Sequence, residues 1–314
     1  MKEFVINKND SGQRVDKFIS KALPTLPKSM MYKLIRKKDI KVNGKRCDGS
    51  YILNENDKLV LYIKDEFSAE KKSETAYNPD FKLDVVYEDE NILIVYKPTG
   101  IPVHTDNEKS DDTLVNNVIS YLISTNAYNP QAESSFRPAI CNRLDKNTCG
   151  LVIAAKNAAA LREINESIRL HNINKTYICI TINPLPKKSD TISAYHKKNE
   201  NNIVSISDIK LDGYKEIITK YNVLRTCGQL SLVEVTLVTG RTHQIRAHLA
   251  HIGSALLGDN KYGNSQINKK YNCRYQCLCA YKLRFDFSEG SPLAYLNSHE
   301  IKCDYPDFVS KYIK

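Results

Sequence analysis

The order of strand-like and helix-like segments is the feature that most restricts the fold. Leu83 to Tyr87, Ile92 to Tyr96, Leu151 to Ala155, Lys175 to Ile182 and Leu230 to Val238 are short runs rich in apolar, mostly β-branched residues. Helical spacing interrupts them only now and then. Leu114, Val118 and Leu122 share a face after Asp112, and Leu161, Ile164 and Ile168 follow a capping Asn157. Thr242 to Ile252 forms a third helix, with Gly253 in the C-capping position. A doubly wound parallel sheet needs regular alternation of strand and helix, and this chain does not supply it. The segments predict an α+β domain over residues 81–314, built on a mixed, largely antiparallel sheet. Within Lys175–Ile182, Tyr177 and Cys179 fall on one side of the strand and Ile178, Ile180 and Ile182 on the other.

A small α/β unit, residues 1–64, precedes that domain, and the polar stretch 65–80 reads as a linker. In the small unit Val15 to Leu23 is helical until Pro24 and Pro27 stop it. Ser29 is placed to cap a second helix carrying Met30, Leu34 and Ile35. Ile40 to Lys45 alternates into an Asn43-Gly44 turn, and Lys58 to Ile63 closes the unit. The chain carries a net charge of +10, and residues 1–76 hold +6 of it, with 17 basic against 11 acidic residues. Between Lys28 and Arg46 eight basic residues stand with a single acid, Asp39. Most such runs are solvated helix faces. Here Lys33, Arg36 and Lys37 project together at i, i+3 and i+4, and the density favours a phosphate-binding surface. Arg14, Lys33, Arg36, Lys37, Lys38 and Lys45 are its candidate residues.

Several classes of function are disfavoured. Uncharged apolar stretches such as Ile92 to Tyr96 fall far short of the ~20 residues of a membrane span. Met1-Lys2-Glu3 opens no apolar leader, so a cytoplasmic protein is expected. Nine irregularly spaced cysteines fit reduced thiols better than a disulfide framework. Cys273, Cys277 and Cys279 lack a second ligand pair, and His243, His248 and His251 lack companion ligands, so no metal is expected. The sequence has no Gly-x-x-x-x-Gly-Lys-Ser/Thr, Gly-x-Gly-x-x-Gly or Gly-x-Ser-x-Gly element.

Three segments remain. The first, Asn142-Arg143-Leu144-Asp145-Lys146-Asn147-Thr148-Cys149-Gly150, sets a carboxylate in a turn before a buried strand. Spacing alone favours an aspartate that simply accepts turn hydrogen bonds. The second runs Thr239-Gly240-Arg241-Thr242-His243-Gln244-Ile245-Arg246-Ala247-His248. Ile245, Leu249 and Ile252 form a buried stripe, and Arg246 lies about 100° from Ile245, at its edge. An arginine there is partly buried and needs a partner; a carboxylate such as Asp145 would serve and be kept ionised in return. The third, Lys175-Thr176-Tyr177, adds a strand tyrosine, ordinary in a chain with 19 tyrosines.

In this order the segments resemble the pseudouridine synthases, in particular the branch acting on large-subunit ribosomal RNA (the RluA/RluD type). The hallmark Arg-Leu-Asp-x-x-Thr-x-Gly is matched at Arg143, Leu144, Asp145, Thr148 and Gly150. Val95 to Thr105, Lys175-Thr176-Tyr177, Thr239 to Leu249 and Leu278 to Phe285 resemble the accompanying motifs, over about 190 residues. Residues 12–63 resemble the small RNA-binding domain named after ribosomal protein S-four. Two positions depart from the pattern: Asn142 stands where histidine is usual, and Cys149 where serine is usual. Asparagine keeps hydrogen-bonding capacity but cannot carry charge.

The resemblance implies isomerisation of uridine to pseudouridine within RNA, without cofactor, on a base flipped into a pocket. It assigns Asp145, Tyr177 and Arg246 to catalysis. Asp145 meets the positive character that develops on the ribose, Arg246 orients it, and Tyr177 stacks on the base. Whether Asp145 attacks sugar or base, or removes a ribose proton, stays open. Arg143, Asn142, Lys97, Arg241, His243 and Gln244 are implied around the substrate, with Lys97 and Arg241 either touching phosphates or structuring the site. The expected partner is RNA, with large-subunit ribosomal RNA favoured over transfer RNA, and the expected state is a monomer away from membranes. Two rival readings stand beside it: a non-catalytic RNA-binding assembly factor retaining the fold, and a glycosidase. The first is opposed by the joint presence of Asp145, Tyr177 and Arg246. The second needs two motif-borne carboxylates, and one is found.

Overall fold

The computed structural model describes residues 1–67, 82–104, 112–200 and 203–314. They fall into two compact units. The first takes the described part of Met1–Phe81 together with Asn116–Ala139 and Ala155–Leu161; the second takes the described parts of Lys82–Val115, Ile140–Ala154 and Arg162–Lys314.

In the first unit the elements are β1 (Lys2–Val5), α1 (Val15–Ala22), α2 (Lys28–Lys37), β2 (Ile40–Val42), β3 (Lys45–Arg46) and β4 (Lys58–Leu61). The strands form an antiparallel sheet in the order β1-β4-β2-β3. Phe18, Ile19 and Leu23 pack with Met31, Leu34, Leu59 and Leu61 to make its core. Asn43 and Gly44 both take positive φ, 51° and 74°, as a two-residue hairpin turn of matching twist requires. Helix α2 starts two residues earlier than a Ser29 cap would place it. Pro27, with φ −60°, sets the entry, and Ser29 lies inside the first turn instead of capping it. Contacts around this segment extend beyond residue 64: Asn9 Nδ2 donates to Glu133 at 2.6 Å, and Gln13 Nε2 to Ser135 Oγ at 2.8 Å. Asp65–Phe67 form a short 3-10 turn; the rest of the expected linker, 68–80, lies outside the described residues.

The remaining elements are β5 (Asp84–Glu88), β6 (Ile92–Lys97), α3 (Leu114–Ser124), β7 (Ala139–Ile140), β8 (Cys149–Ala155), α4 (Ala158–Arg169), β9 (Ile173–Ile182) and β10 (Ser189–Lys198). They continue with β11 (Val204–Ser207), β12 (Lys215–Cys227), β13 (Leu230–Leu237), α5 (Gln244–His251), α6 (Ser265–Lys270), β14 (Leu278–Phe285), β15 (Glu300–Lys302) and α7 (Asp307–Tyr312). One sheet runs β11-β10-β12-β13-β9-β14-β8-β6-β5, with β15 beside β14 and β7 beside β8. Its registered pairs are antiparallel except β14 with β8, which is parallel. The sheet is therefore mixed and largely antiparallel, as the strand order predicted.

Strand β8 is buried along its whole length, and its second residue explains a glycine of the Arg-Leu-Asp motif. Gly150 has φ 112°, and a Cβ there would lie 2.3 Å from the Ala280 carbonyl oxygen of β14. The two backbones meet where only glycine fits. Asn157 accepts from Ala160 N at 2.9 Å and caps α4. Helix α5 is shorter than Thr242–Ile252, because His243 takes a left-handed φ of 54° just before it.

Candidate active site

Asp145 sits in a tight turn, closed by a hydrogen bond from Thr148 N to its carbonyl at 3.0 Å, immediately before β8. Two buried side chains hold this loop. Asn142 Oδ1 accepts from Ile153 N at 2.7 Å, and its Nδ2 donates to Leu151 O at 3.3 Å, tying the loop to β8. Lys97, fully buried, donates to the carbonyls of Pro98, Ile101 and Lys146, each at 2.9 Å. Three acceptors match the three N–H bonds of an ammonium. Burial pushes the Lys97 pKa down to about 8.

Helix α5 brings the arginine. Arg246 Nη1 donates to Asp145 Oδ2 at 2.7 Å, and on its other side Nε and Nη2 grip both oxygens of Asp259 at 2.7 and 2.9 Å. Asp259 also accepts from the backbone N–H groups of Lys261 and Tyr262 at 2.8 and 3.1 Å. Its side chain has no exposed surface, while that of Asp145 is 28% exposed, so one carboxylate anchors and the other faces out. Burial alone would raise the Asp259 pKa; the Arg246 bonds and charge outweigh it and hold the carboxyl below its usual range. Burial works against the Arg246 charge too, and the two carboxylates reverse it, raising that pKa above normal.

The guanidinium also lies 5.3 Å from the Tyr262 ring centroid. The Tyr262 hydroxyl reaches His243 Nδ1 at 2.9 Å, and His243 Nε2 stands 3.8 Å from Asp145 Oδ2. The left-handed backbone of His243 costs about 1 kcal/mol or more, a strain found most often at working sites. Burial depresses the His243 pKa, so the ring is neutral at neutral pH.

Arg143, Asp145, Tyr177, Arg241, His243 and Arg246 line one open cleft of about 70 Å³. Arg143 and Arg241 are exposed at it, and Tyr177 is buried, its phenol pKa raised by burial first and by Asp145 second. A carboxylate, a donor-rich rim and an aromatic face in one cleft can hold a planar base against a developing positive charge.

Asn142 and Gln244, expected at the substrate, are placed differently, and Lys97 falls to its structuring alternative. Lys97 and Asn142 are committed to backbone groups behind the Asp145 loop. Gln244 accepts from Thr239 Oγ1 and Arg241 N and donates to Ile218 O and Thr219 Oγ1, which uses its amide on both sides. It lies at the cleft wall as a brace that presents Arg241. Asp259 and Tyr262 were missed. Their only trace in the sequence is the dipeptide Gly258-Asp259, an ordinary turn signal. Gly258 is obligatory, since a Cβ there would stand 2.0 Å from the Tyr275 carbonyl oxygen.

In the first unit Lys33, Arg36, Lys37, Lys38 and Lys45 are all exposed. Arg14 differs from them: it forms a two-point ion pair with Asp16 at 3.0 and 2.7 Å, although half of its side chain stays accessible. Among the described residues no group of three or more His, Cys, Asp or Glu is arranged to hold a metal ion. No helix among them is long and apolar enough to cross a membrane.

Comparison with known proteins adds to this geometry. Residues 91–251 match the family model described as RNA pseudouridylate synthase, and residues 13–59 match that of the S4 domain. An uncharacterized RNA pseudouridine synthase of Mycoplasma capricolum is 34% identical, over 99% of this chain and 100% of that protein. Ribosomal large subunit pseudouridine synthase C of Vibrio parahaemolyticus is 31% identical, over 84% of this chain and 80% of its own. Among solved structures, human RNA pseudouridylate synthase domain containing 1 shares the fold, with a TM-score of 0.56 at 21% identity over 72% of this chain and 84% of that one.

Proposed function

The chain belongs to the RNA pseudouridylate synthase family, and from that premise we propose that it isomerises uridines of large-subunit ribosomal RNA, with Asp145 as the residue on which the reaction turns. Its activity is that of an RNA pseudouridine synthase. The choice of ribosomal RNA follows the relatives named for the ribosomal large subunit. One observation carries the assignment of the centre: Asp145 is held at 2.7 Å by Arg246, beside the buried face of Tyr177, in a cleft with two free arginines at its edge.

In this reading the target nucleotide leaves its stack and its uracil enters beside Tyr177. Cleavage of the N1–C1′ bond builds positive character on the ribose, which the Asp145 carboxylate meets. Arg246, fixed from behind by Asp259, sets the position of that carboxylate. Arg143 and Arg241 meet the phosphates or the gap left by the flipped nucleotide. The exposed lysines and Arg36 of the first unit bind the RNA backbone and so select by shape and charge. The protein acts as a monomer in the cytoplasm.

The test is tritium release from transcripts carrying carbon-5-tritiated uridine, with the parent protein and Asp145→Asn. Release by the parent alone from large-subunit ribosomal RNA supports the reading. Release only from transfer RNA moves the substrate. Tight binding with no release from either would favour an assembly factor that retains the fold.

A further inference from the structure

The groups around the two ring nitrogens of His243 favour one position for its proton. Val204 N donates to the Tyr262 hydroxyl oxygen at 3.0 Å, and the same hydroxyl lies 2.9 Å from His243 Nδ1. The Asp145 carboxylate 3.8 Å from Nε2 favours a hydrogen there over a lone pair, which leaves Nδ1 to take the phenol's one proton. Nδ1 therefore accepts, and the neutral ring carries hydrogen on Nε2. Burial keeps the ring neutral. Arg246 and Lys261 act in the same sense, and Asp145 and Asp259 act against it. Nε2 faces Asp145 Oδ2 at 3.8 Å, beyond hydrogen-bond reach. The side chain is 12% exposed and that surface lies in the cleft. A donor thus points into the space beside Asp145, and the left-handed backbone at φ 54° holds it there.

The pseudouridine synthase reaction, on which this inference rests, needs a donor at that place. When N1–C1′ breaks, the bonding pair leaves on uracil, and its charge spreads over N1, O2 and O4. The ribose keeps the matching positive charge, whichever atom Asp145 engages. We propose that His243 is a catalytic residue of this reaction, its Nε2–H donating a hydrogen bond to the detached uracil anion while the ring turns from N1 to C5. A neutral donor suits the task. It stabilises the anion without protonating it, and the ring keeps the electron density that C5 needs to attack C1′. No proton moves in this step. The new C1′–C5 bond then takes the electron pair, C5 releases its proton and N1 gains one, so the nucleoside keeps its composition.

The test is a leaving-group comparison under single turnover. His243→Phe is expected to slow tritium release about 100-fold while RNA affinity holds. On the same transcript made with 5-fluorouridine, fluorine helps to carry the ring charge. The deficit of the variant, read as consumed nucleoside by digestion and mass spectrometry, should therefore shrink severalfold. His243→Gln, which keeps an N–H donor, should recover part of the rate on uridine. Should His243→Phe not fold, Tyr262→Phe serves in its place: it frees the tautomer, and its smaller deficit should shrink in the same way. Equal deficits on both transcripts, or a parental rate in the variants, would overturn the assignment. A parent that releases no tritium removes the reaction and this inference together; an active parent with an unimpaired His243→Phe removes the inference alone.

Discussion

Asp259→Asn isolates the anchor behind the site. The carboxylate takes four hydrogen bonds, two from Arg246 and two from backbone amides, on a side chain with no exposed surface. Asparagine can keep its oxygen at the Oδ1 place and so retain Arg246 Nη2 and both amides. Its NH2 then faces Arg246 Nε, and a buried charged donor loses its acceptor. Removing one partner of a buried ion pair costs about 3–5 kcal/mol. Asp145 remains 2.7 Å from Nη1, which places the loss near the lower end, about 3 kcal/mol. At roughly 2–4 °C per kcal/mol for a domain of this size, the melting temperature should fall by about 6–12 °C. Because the folded pKa of Asp259 is lowered, its contribution is fully present above the unfolded value of 3.8 and lost only as pH falls through the folded one. The deficit should therefore be constant across neutral pH. The rate should suffer as well: a guanidinium free to shift by ~1 Å misplaces Asp145, at a cost of up to about 100-fold. RNA affinity should be unchanged, since Asp259 has no surface at the cleft. Thermal unfolding, single-turnover tritium release and filter binding measure the three quantities. A parental melting temperature with a parental rate would refute the anchoring role, and weakened RNA binding with a normal rate at saturation would refute its placement behind the site.

Changing Lys33, Lys37 and Lys45 to glutamine should weaken RNA binding and lower the slope of log affinity against log salt by roughly 2–3, with the saturated single-turnover rate kept; a large fall in that rate would count against a separate binding surface. His248 is buried, donating to or accepting from Thr219 Oγ1 at 3.0 Å, and burial takes its pKa down to about 4. Between pH 6.5 and 4 the unfolded chain gains a proton that the fold refuses, so stability falls with pH by up to about 3 kcal/mol. His248→Gln should flatten that acid slope in melting temperature, and an unchanged slope would rule the residue out as its source. Gly150→Ala would press a Cβ to 2.3 Å from Ala280 O, and the expected result is insoluble protein or a loss of about 3 kcal/mol or more; a normal melting curve would show that β8 and β14 can separate.

Legibility in the sequence followed how many surfaces of an element are dry. Strands β8 and β9 were readable because nearly every side chain of each is buried, leaving dense apolar runs. Strands β10 and β12 went unread because buried positions carry Ala194, His196 and Thr219 while Leu224 is exposed, which blurs the alternation. Strand β1, four residues long, exists through its pairing with β4 and has too few residues to show a period. Arg246 was readable for a different reason. An arginine at the rim of a buried stripe must have a carboxylate, and the loop carrying Asp145 offered one. The same logic implies a second carboxylate once the fork is known to be buried on both sides, but sequence spacing does not reveal that burial.

That difference explains which motif residues turned toward the cleft and which did not. Asn142, Gln244 and Lys97 look like substrate-binding residues in a sequence because each is polar and sits among the motifs. In the structure Lys97 and Gln244 have every donor matched to backbone or neighbouring side chains, and the buried Asn142 turns both ends of its amide to the backbone of β8. Arg143 and Arg241, also polar and also in motifs, stay exposed. A buried polar group must be satisfied where it lies, and three such groups fasten the Asp145 loop and the Arg241 turn to the sheet. The Asp145 carboxylate thus sits on a loop yet is held as firmly as a strand residue, as its proposed role of meeting a charge that appears only in a transition state would demand.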